Sequence, residues 1–372
     1  MIITLCLVNG FQKAVGEKVY QFWGHARIQP VNPLQTAVTD DEGFSTTDSI
    51  EQLIKANNGI THFHAFAVKS VVLKTKGQFE GVLLKGVDSR FEEKGFSDFM
   101  RLGKMISFKD SSYSRGILLS EATVKRMELK VGDTFQCFFI RNGQDIRSRA
   151  VTVSGIFKTG MEEYDKNFAI ADIRFLRKLN QWPDDRIGGY EMFIDEKMNI
   201  DTVSAQMDKA LPLQLTSQPI SAIYPNIFDW LAIQNQTKRI VVITMLIVAI
   251  INLITCLLIL VMERTRMVGV LKSLGMPDGR LNLIFWIYAG YIAFVGVGLG
   301  LLLGLGLVGL QSATHFISMD EATYYVSYAP VAINLWEVAL VTVGSFAVCL
   351  LAVRLPLFYV QRITPIRAIR FA

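Results

Sequence analysis

Ile240–Met262, IVVITMLIVAIINLITCLLILVM, holds 23 consecutive residues without one charged side chain. Wound as an α-helix at about 1.5 Å per residue, that run crosses the roughly 30 Å hydrocarbon core of a bilayer. Hydrocarbon offers the backbone no hydrogen-bond partner, so a run of this kind must satisfy its own amides, which a helix does. Working outward, Leu281–Leu310 is a second uncharged run, and Leu335–Val353 is a third, interrupted only by Glu337 near its start. The reading is a membrane α-helical protein with complete transmembrane helices over 240–262, 281–310 and 335–360.

Charge in the connecting segments predicts the orientation. Residues 263–280 carry Arg264, Arg266, Lys272 and Arg280 against two acids, and the tail carries Arg354, Arg362, Arg367 and Arg370 with none. Residues 311–334 hold Asp320 and Glu321 and no basic residue. Basic loops stay in the cytoplasm. The 263–280 loop and the 361–372 tail are therefore expected inside, and the 311–334 loop outside together with everything between residues 24 and 239. Something must carry the chain out before residue 24, yet Met1–Val8 is too short to span. Residues 1–23 are accordingly expected to hold the outer end of a first transmembrane helix, over Met1–Phe11, followed by a stalk. On this reading the inner half of that helix is expected to lie outside this sequence; a short interfacial helix is the alternative.

Residues 24–222 read as a water-soluble α+β domain. Ala65–Lys74 and Phe79–Val87 are rich in β-branched residues and flank a short polar turn, the pattern of a hairpin. Thr134–Arg141 and Arg149–Phe157 form a second candidate around Asn142-Gly143. Helical patterns fall at Ser45–Ala56, Ser120–Met127, Asp172–Asn180 and Ile200–Leu211, with Ser120 and Asp172 placed as caps. A β-rich insertion is expected over about 86–158.

Several function classes are excluded or disfavoured. Of a formal net charge of +5, only +2 lies before Ile240, which leaves no basic footprint for nucleic acid. Among the four cysteines, only Cys137 lies in the soluble region, so no disulfide framework can form there. His62 and His64 share a strand face without a third ligand nearby, which favours a structural role over a metal site. Asp40, Asp41 and Glu42 read as a solvated loop. No Walker, Gly-x-Ser-x-Gly or His-Glu-x-x-His motif occurs, and no catalytic, cofactor-binding or metal-ligating residue is assigned.

Three segments carry the functional reading. MERTRMVGVLKSLGMP, residues 262–277, joins two membrane helices on the basic side and has the make-up of an amphipathic helix ended by Gly275 and Pro277. It could dock in a partner's groove or merely anchor the interface. Gly296, Gly300 and Gly304 recur every four residues, a face that admits close approach of another helix, within the chain or from a second subunit. Ile223–Arg239 reads as a stalk helix entering the membrane, with Phe228, Trp230 and Leu231 at the level where substrate could touch it.

These stretches resemble the FtsX/MacB-type ABC transporter permease superfamily, most nearly its lipoprotein-releasing branch, LolC and LolE. The resemblance rests on Asn9-Gly10-Phe11, Gly24–Ile28, Val153–Phe157 with Gly160, Met262-Glu263-Arg264 through Leu274-Gly275, and Pro365–Arg370. It covers nearly the whole chain. It implies a 1+3 arrangement of membrane helices around a large MacB-like α+β periplasmic domain, in a bacterial inner membrane. It also implies a second permease subunit, identical or homologous, and a cytoplasmic ABC ATPase dimer that binds ATP and Mg, this chain holding no cofactor. The ATPase-coupling residues it suggests are Glu263, Arg264, Arg266, Val268, Gly269, Leu271, Lys272, Leu274 and Gly275. The cargo implied is a lipoprotein, anchored in membrane lipid and passed to a periplasmic chaperone by movement of the outer domain. A regulatory permease of the FtsX kind, controlling cell-wall hydrolases, and a MacB-like efflux component stay open as alternatives. In chaperone-recruiting members a longer hairpin stands near Arg141–Arg149; here it looks short.

Overall fold

The computed structural model describes residues 1–31, 43–91, 93–108, 113–141 and 145–354. The acidic run at 40–42, the Asn142-Gly143 turn and the tail from 355 onward lie outside the described residues. The chain divides into two compact units: Met1–Ala14, Trp230–Met319 and Tyr328–Ala372 form one, and Val15–Asp229 with Asp320–Ser327 form the other.

The elements begin with helix α1 (Ile2–Trp23), strand β1 (Ala26–Pro30), β2 (Phe44–Ser45) and α2 (Asp48–Ala56). There follow β3 (Ile60–Lys74), β4 (Phe79–Val87), α3 (Glu93–Ser97), β5 (Met100–Gly103) and β6 (Gly116–Ser120). Next come α4 (Glu121–Met127), β7 (Thr134–Arg141), β8 (Asp145–Phe157), α5 (Glu162–Asn167), β9 (Phe168–Asp172) and α6 (Ile173–Asn180). The domain closes with β10 (Arg186–Ile187), β11 (Gly189–Ile194), α7 (Ile200–Ala210), β12 (Leu215–Pro219) and α8 (Ile220–Ile223). The membrane region holds α9 (Pro225–Glu263), α10 (Thr265–Ser273), α11 (Asp278–Thr314) and α13 (Leu335–Ala352), with α12 (Glu321–Tyr324) between the last two.

Among the described residues, three helices, α9, α11 and α13, are long and apolar enough to cross a membrane. α1 is one continuous helix of 22 residues. α9 likewise runs unbroken for 39 residues. In the segment expected as a stalk, 223–239, the helix starts at Pro225.

In the α+β domain both expected hairpins form. β3 and β4 pair from Phe66↔Val87 to Lys74↔Phe79, and β7 and β8 from Thr134↔Thr152 to Arg141↔Asp145, the latter strand starting earlier than Arg149. The caps form as the side-chain chemistry dictates: Ser120 Oγ accepts from the Thr123 amide and Asp172 from the Arg174 amide.

The region expected as a β-rich insertion, about 86–158, contributes β5, β6, β7 and β8. Its strands share the ten-stranded sheet of the rest of the domain. β3 pairs with β4, β4 with β9, β9 with β6, β6 with β8, β8 with β7, and β7 returns to β3. That circuit is a closed six-stranded barrel. Two long strands make closure possible: β3 bonds β11 over 60–66 and β7 over 72–74, while β8 bonds β7 over 145–152 and β6 over 152–157. Val71, Leu73, Val82, Leu84, Phe135 and Val151 alternate inward and are buried in one apolar cluster, as the interior of a small barrel requires. β11, β1 and β12 extend the sheet beyond the barrel, antiparallel throughout.

Candidate coupling site

α9 ends at Glu263, and Arg264 makes the corner. Its amide still bonds the Leu260 carbonyl at 3.1 Å, while Thr265 Oγ1 bonds the Val261 and Met262 carbonyls at 3.1 and 2.8 Å. α10 then runs nine residues and stops in a left-handed glycine, Gly275 at φ +83. The Gly275 amide bonds Lys272 O and the Met276 amide bonds Leu271 O, both at 3.0 Å, the paired closure that such a glycine allows. Lys272 Nζ reaches Asp278 Oδ1 at 2.9 Å and ties α10 to the first turn of α11.

The two faces of α10 separate cleanly. Val268 is buried with Leu257, Val261, Leu281, Phe285 and Ala289, and Leu271 and Met276 pack against that cluster. Gly269 is buried as well. Met267, Val270 and Leu274, by contrast, are 37%, 46% and 78% exposed. Spaced three and four apart, they line one outward stripe, with Glu263, Arg264 and Arg266 exposed at its start. Of the nine residues expected to couple, then, Val268, Gly269, Leu271 and Lys272 hold α10 in place, Gly275 ends it, and Leu274 and the three charged residues face outward. Met267 and Val270 belong to the outward stripe and were missing from the expected set; helical periodicity from Leu274 would have found them.

The other expected residues are placed differently. The Phe228 ring lies 5.7 Å from Tyr20 of α1, the Trp230 ring lies 5.4 Å from Phe11, and Leu231 is buried with its carbonyl accepting from Gln12 at 2.8 Å. All three therefore join α9 to α1. On α11, a Cβ at Gly304 would touch Ile2 at 3.4 Å, whereas Gly296 and Gly300 meet nothing within 4 Å among the described residues. These glycines line a mostly apolar groove of about 380 Å³ with Ile2, Ile3 and Leu301.

Asn9-Gly10-Phe11 gathers the same end of the bundle. Asn9 donates to Glu337 Oε2 at 2.7 Å and accepts from Lys238 Nζ at 2.8 Å, so one amide links α1, α9 and α13. A Cβ on Gly10 would stand 2.4 Å from the Pro330 carbonyl oxygen and 2.5 Å from Val331 Cα, both main-chain atoms. Gly10→Ala is expected to destabilise the helical unit by about 1–3 kcal/mol, because backbone must move to admit the methyl. A lowered thermal midpoint of the full chain in detergent would report it, and an unchanged midpoint would show that this segment yields freely.

Within the α+β domain, the end of α1 and Tyr224 meet a buried charge cluster. Glu191 is fully buried; its Oε2 lies 2.8 Å from Lys85 Nζ and 3.0 Å from His64 Nε2, and its Oε1 lies 3.4 Å from Arg27 Nη2. Lys85 also donates to the Phe22 carbonyl at the end of α1, where the helix dipole favours a cation. The Arg27 guanidinium sits 4.0 Å from the Trp23 ring, and Trp23 stacks on Tyr224, just ahead of α9, at 5.4 Å. Burial lowers the Lys85 ammonium to about 8, against the pull of Glu191. Burial alone would raise the Glu191 carboxyl, but Lys85, His64 and Arg27 outweigh it and hold it at about 2. His64, read from sequence as structural, belongs to this cluster.

Among the described residues the chain thus joins three apolar membrane-span helices, a short helix with an exposed apolar stripe, and a barrel-bearing α+β domain. Residues 239–365 match the family described as FtsX-like permease C-terminal. It is 20% identical to the lipoprotein-releasing system transmembrane protein LolC of Xylella fastidiosa (strain Temecula1 / ATCC 700964), over 100% of this chain and 90% of that protein. It is 22% identical to LolC of Neisseria meningitidis serogroup B over the same shares, and 19% identical to LolE of Haemophilus influenzae over 98% and 89%. The periplasmic region of MacB from Actinobacillus actinomycetemcomitans aligns with 54% of this chain and 91% of its own, at TM-score 0.39 and 13% identity.

Proposed function

We propose that this chain is the permease subunit of an ABC transporter in a bacterial inner membrane, and that it draws lipoproteins out of that membrane. The outward stripe of α10 carries the reading: an apolar face on a short helix pinned between two membrane helices is built to receive a partner. Correspondence with LolC-named relatives along the whole chain supports lipoprotein as the cargo. In this reading a cytoplasmic ATPase dimer, holding ATP and Mg, docks on Met267, Val270 and Leu274, with a second permease subunit completing the complex. The chain itself performs no catalysis. Its long continuous helices α1 and α9 carry movement to the α+β domain in the periplasm, which passes the lipoprotein to a soluble chaperone.

Co-purification from native membranes followed by mass spectrometry tests this. An ABC ATPase recovered together with triacylated lipoproteins is the expected result. An ATPase with a cell-wall hydrolase and no lipoprotein would move the chain to the regulatory branch, and absence of any ATPase under conditions that preserve the complex would refute the transporter reading.

A further inference from the structure

The two ends of the connection between α11 and α13 are folded against the membrane helices. α11 stops at His315, in the left-handed region at φ +50, and the chain doubles back. The buried Gln311 holds the turn: its Nε2 donates to Ala329 O at 2.9 Å and its Oε1 accepts the Ile317 amide at 3.1 Å. The Ala329 amide bonds Ile317 O at 2.9 Å, Ser318 pairs with Tyr328, and the His315 ring lies 4.0 Å from that of Tyr328. Farther on, the Ala332 amide bonds the Cys6 carbonyl of α1 at 2.9 Å. Cys6 is buried with Val308 of α11 and Val338 of α13, and Val331 packs against them. All of these residues belong to the helical unit.

Those contacts fix the depth of the connection. Lys238 and Glu337, joined through Asn9, stand at the ends of the uncharged stretches of α9 and α13 and mark where hydrocarbon stops. Cys6 lies three residues deeper on α1 than Asn9, about 4–5 Å along the axis. Ala332, bonded to Cys6, therefore sits below that mark. Non-helical backbone is tolerated at such a depth only where protein meets its polar groups. Here the Ile317, Ala329 and Ala332 amides are all bonded by protein, and Pro330 has no amide to satisfy.

Phe316, Ile317, Tyr328, Ile333, Leu335 and Trp336 are all exposed. They continue the bare apolar surface of the spanning helices, where Leu307, Leu310, Leu340 and Val343 are exposed as well. Neither 311–319 nor 326–336 contains an Asp, Glu, Lys or Arg. Rings with a polar tip, here Tyr328 and Trp336, settle at the level of lipid headgroups. We propose that residues 315–318 and 328–336 form an interfacial seat, lying in the headgroup layer on the side of the bilayer opposite α10 and binding phospholipid. Lipid is the partner because this surface is continuous with one that lipid covers, and because its amides are met where water would otherwise be needed. The seat is independent of the cargo the chain handles.

The test uses the full chain in vesicles of phosphatidylethanolamine and phosphatidylglycerol. Phe316→Cys and Ile333→Cys, in a background with the four native cysteines replaced by alanine, each carry an environment-sensitive fluorophore. Leu213→Cys, almost wholly exposed in the α+β domain, and Leu299→Cys, exposed within the uncharged run of α11, serve as water and hydrocarbon standards. Quenching by phospholipids brominated along their chains reads depth, and quenching by iodide reads water. Both seat labels are expected about 5–10 Å into the headgroup and acyl boundary, shallower than Leu299 and shielded from iodide relative to Leu213. Iodide quenching equal to that of Leu213 would overturn the seat in favour of a solvated loop. A depth equal to that of Leu299 would overturn it in favour of the hydrocarbon core, and protection from both quenchers in favour of a protein partner. Should the cysteine-free background fail to fold, the unaltered chain is irradiated with a phospholipid carrying a photoreactive headgroup. Peptides covering 315–318 and 328–336 should then carry adducts, and bare peptides there beside labelled ends of the spanning helices would overturn the seat.

Discussion

Glu191→Ala is expected to destabilise the α+β domain by about 3–5 kcal/mol, because it leaves buried cations without their counter-charge. Lys85 and Glu191 are fully buried and Arg27 nearly so. Their burial is tolerated because one carboxylate serves Lys85, Arg27 and His64, while the Trp23 and Phe22 rings face the two cations. Hydrogen exchange at the β11 amides, or the thermal midpoint of the domain in the full chain, would measure the loss. A change below about 1 kcal/mol would mean that the cations relax to solvent.

The same carboxylate sets an acid limit. Its value in the folded protein, about 2, lies below its ordinary 4.5, so the folded state binds this proton less readily than the unfolded chain. The stability it contributes is complete above about 4.5 and is lost as pH falls from there toward 2. Glu191→Gln should flatten that limb of the stability profile; an unaltered acid limb would assign it to other carboxylates.

Charge placed on the outward stripe of α10 should have the second large effect. Val270→Asp or Leu274→Asp is expected to weaken ATPase association by about thirtyfold or more, the cost of disrupting an apolar hot spot of about 2 kcal/mol. Both positions face outward, so the thermal midpoint of the permease should be nearly unchanged. Leu271→Asp and Val268→Asp behave oppositely, since they bury a charge against Leu257, Phe285 and Ala289 and unseat the helix itself. Pull-down with the purified ATPase, read beside the midpoint, separates the two classes. Undiminished association of the Val270 and Leu274 variants would remove α10 as the docking face.

These contrasts mark how far the residues speak for themselves. Uncharged runs announced α9, α11 and α13 because hydrocarbon admits little else, and Ser120 and Asp172 announced helix starts because a cap bonds an amide two or three residues away. Both hairpins were legible for the same reason: their partners lie close in the chain. A helix does lie between Arg264 and Gly275, yet a set of residues chosen by position mixed its inward and outward faces. Only packing against α9 and α11 shows that Val268 and Leu271 are structural and that Met267 and Val270 are available.

What the sequence determined by itself, then, is everything governed by interactions within a few residues or by the solvent a segment must occupy: the membrane helices, the caps, the hairpins, the glycine that ends α10. Tertiary structure alone decided the rest. Closure of the barrel depends on Val72 meeting Phe138 and Leu118 meeting Ile170, pairings with no local signature. Glu191 reads as an ordinary surface acid until β1, β3 and β4 bring Arg27, His64 and Lys85 around it. Glu321 reads as a loop charge until Lys18 and Lys158, 303 and 163 positions away in number, converge on it over Gly160. Electrostatic energy depends on distance in space and on exclusion of water, and neither is written in the order of residues.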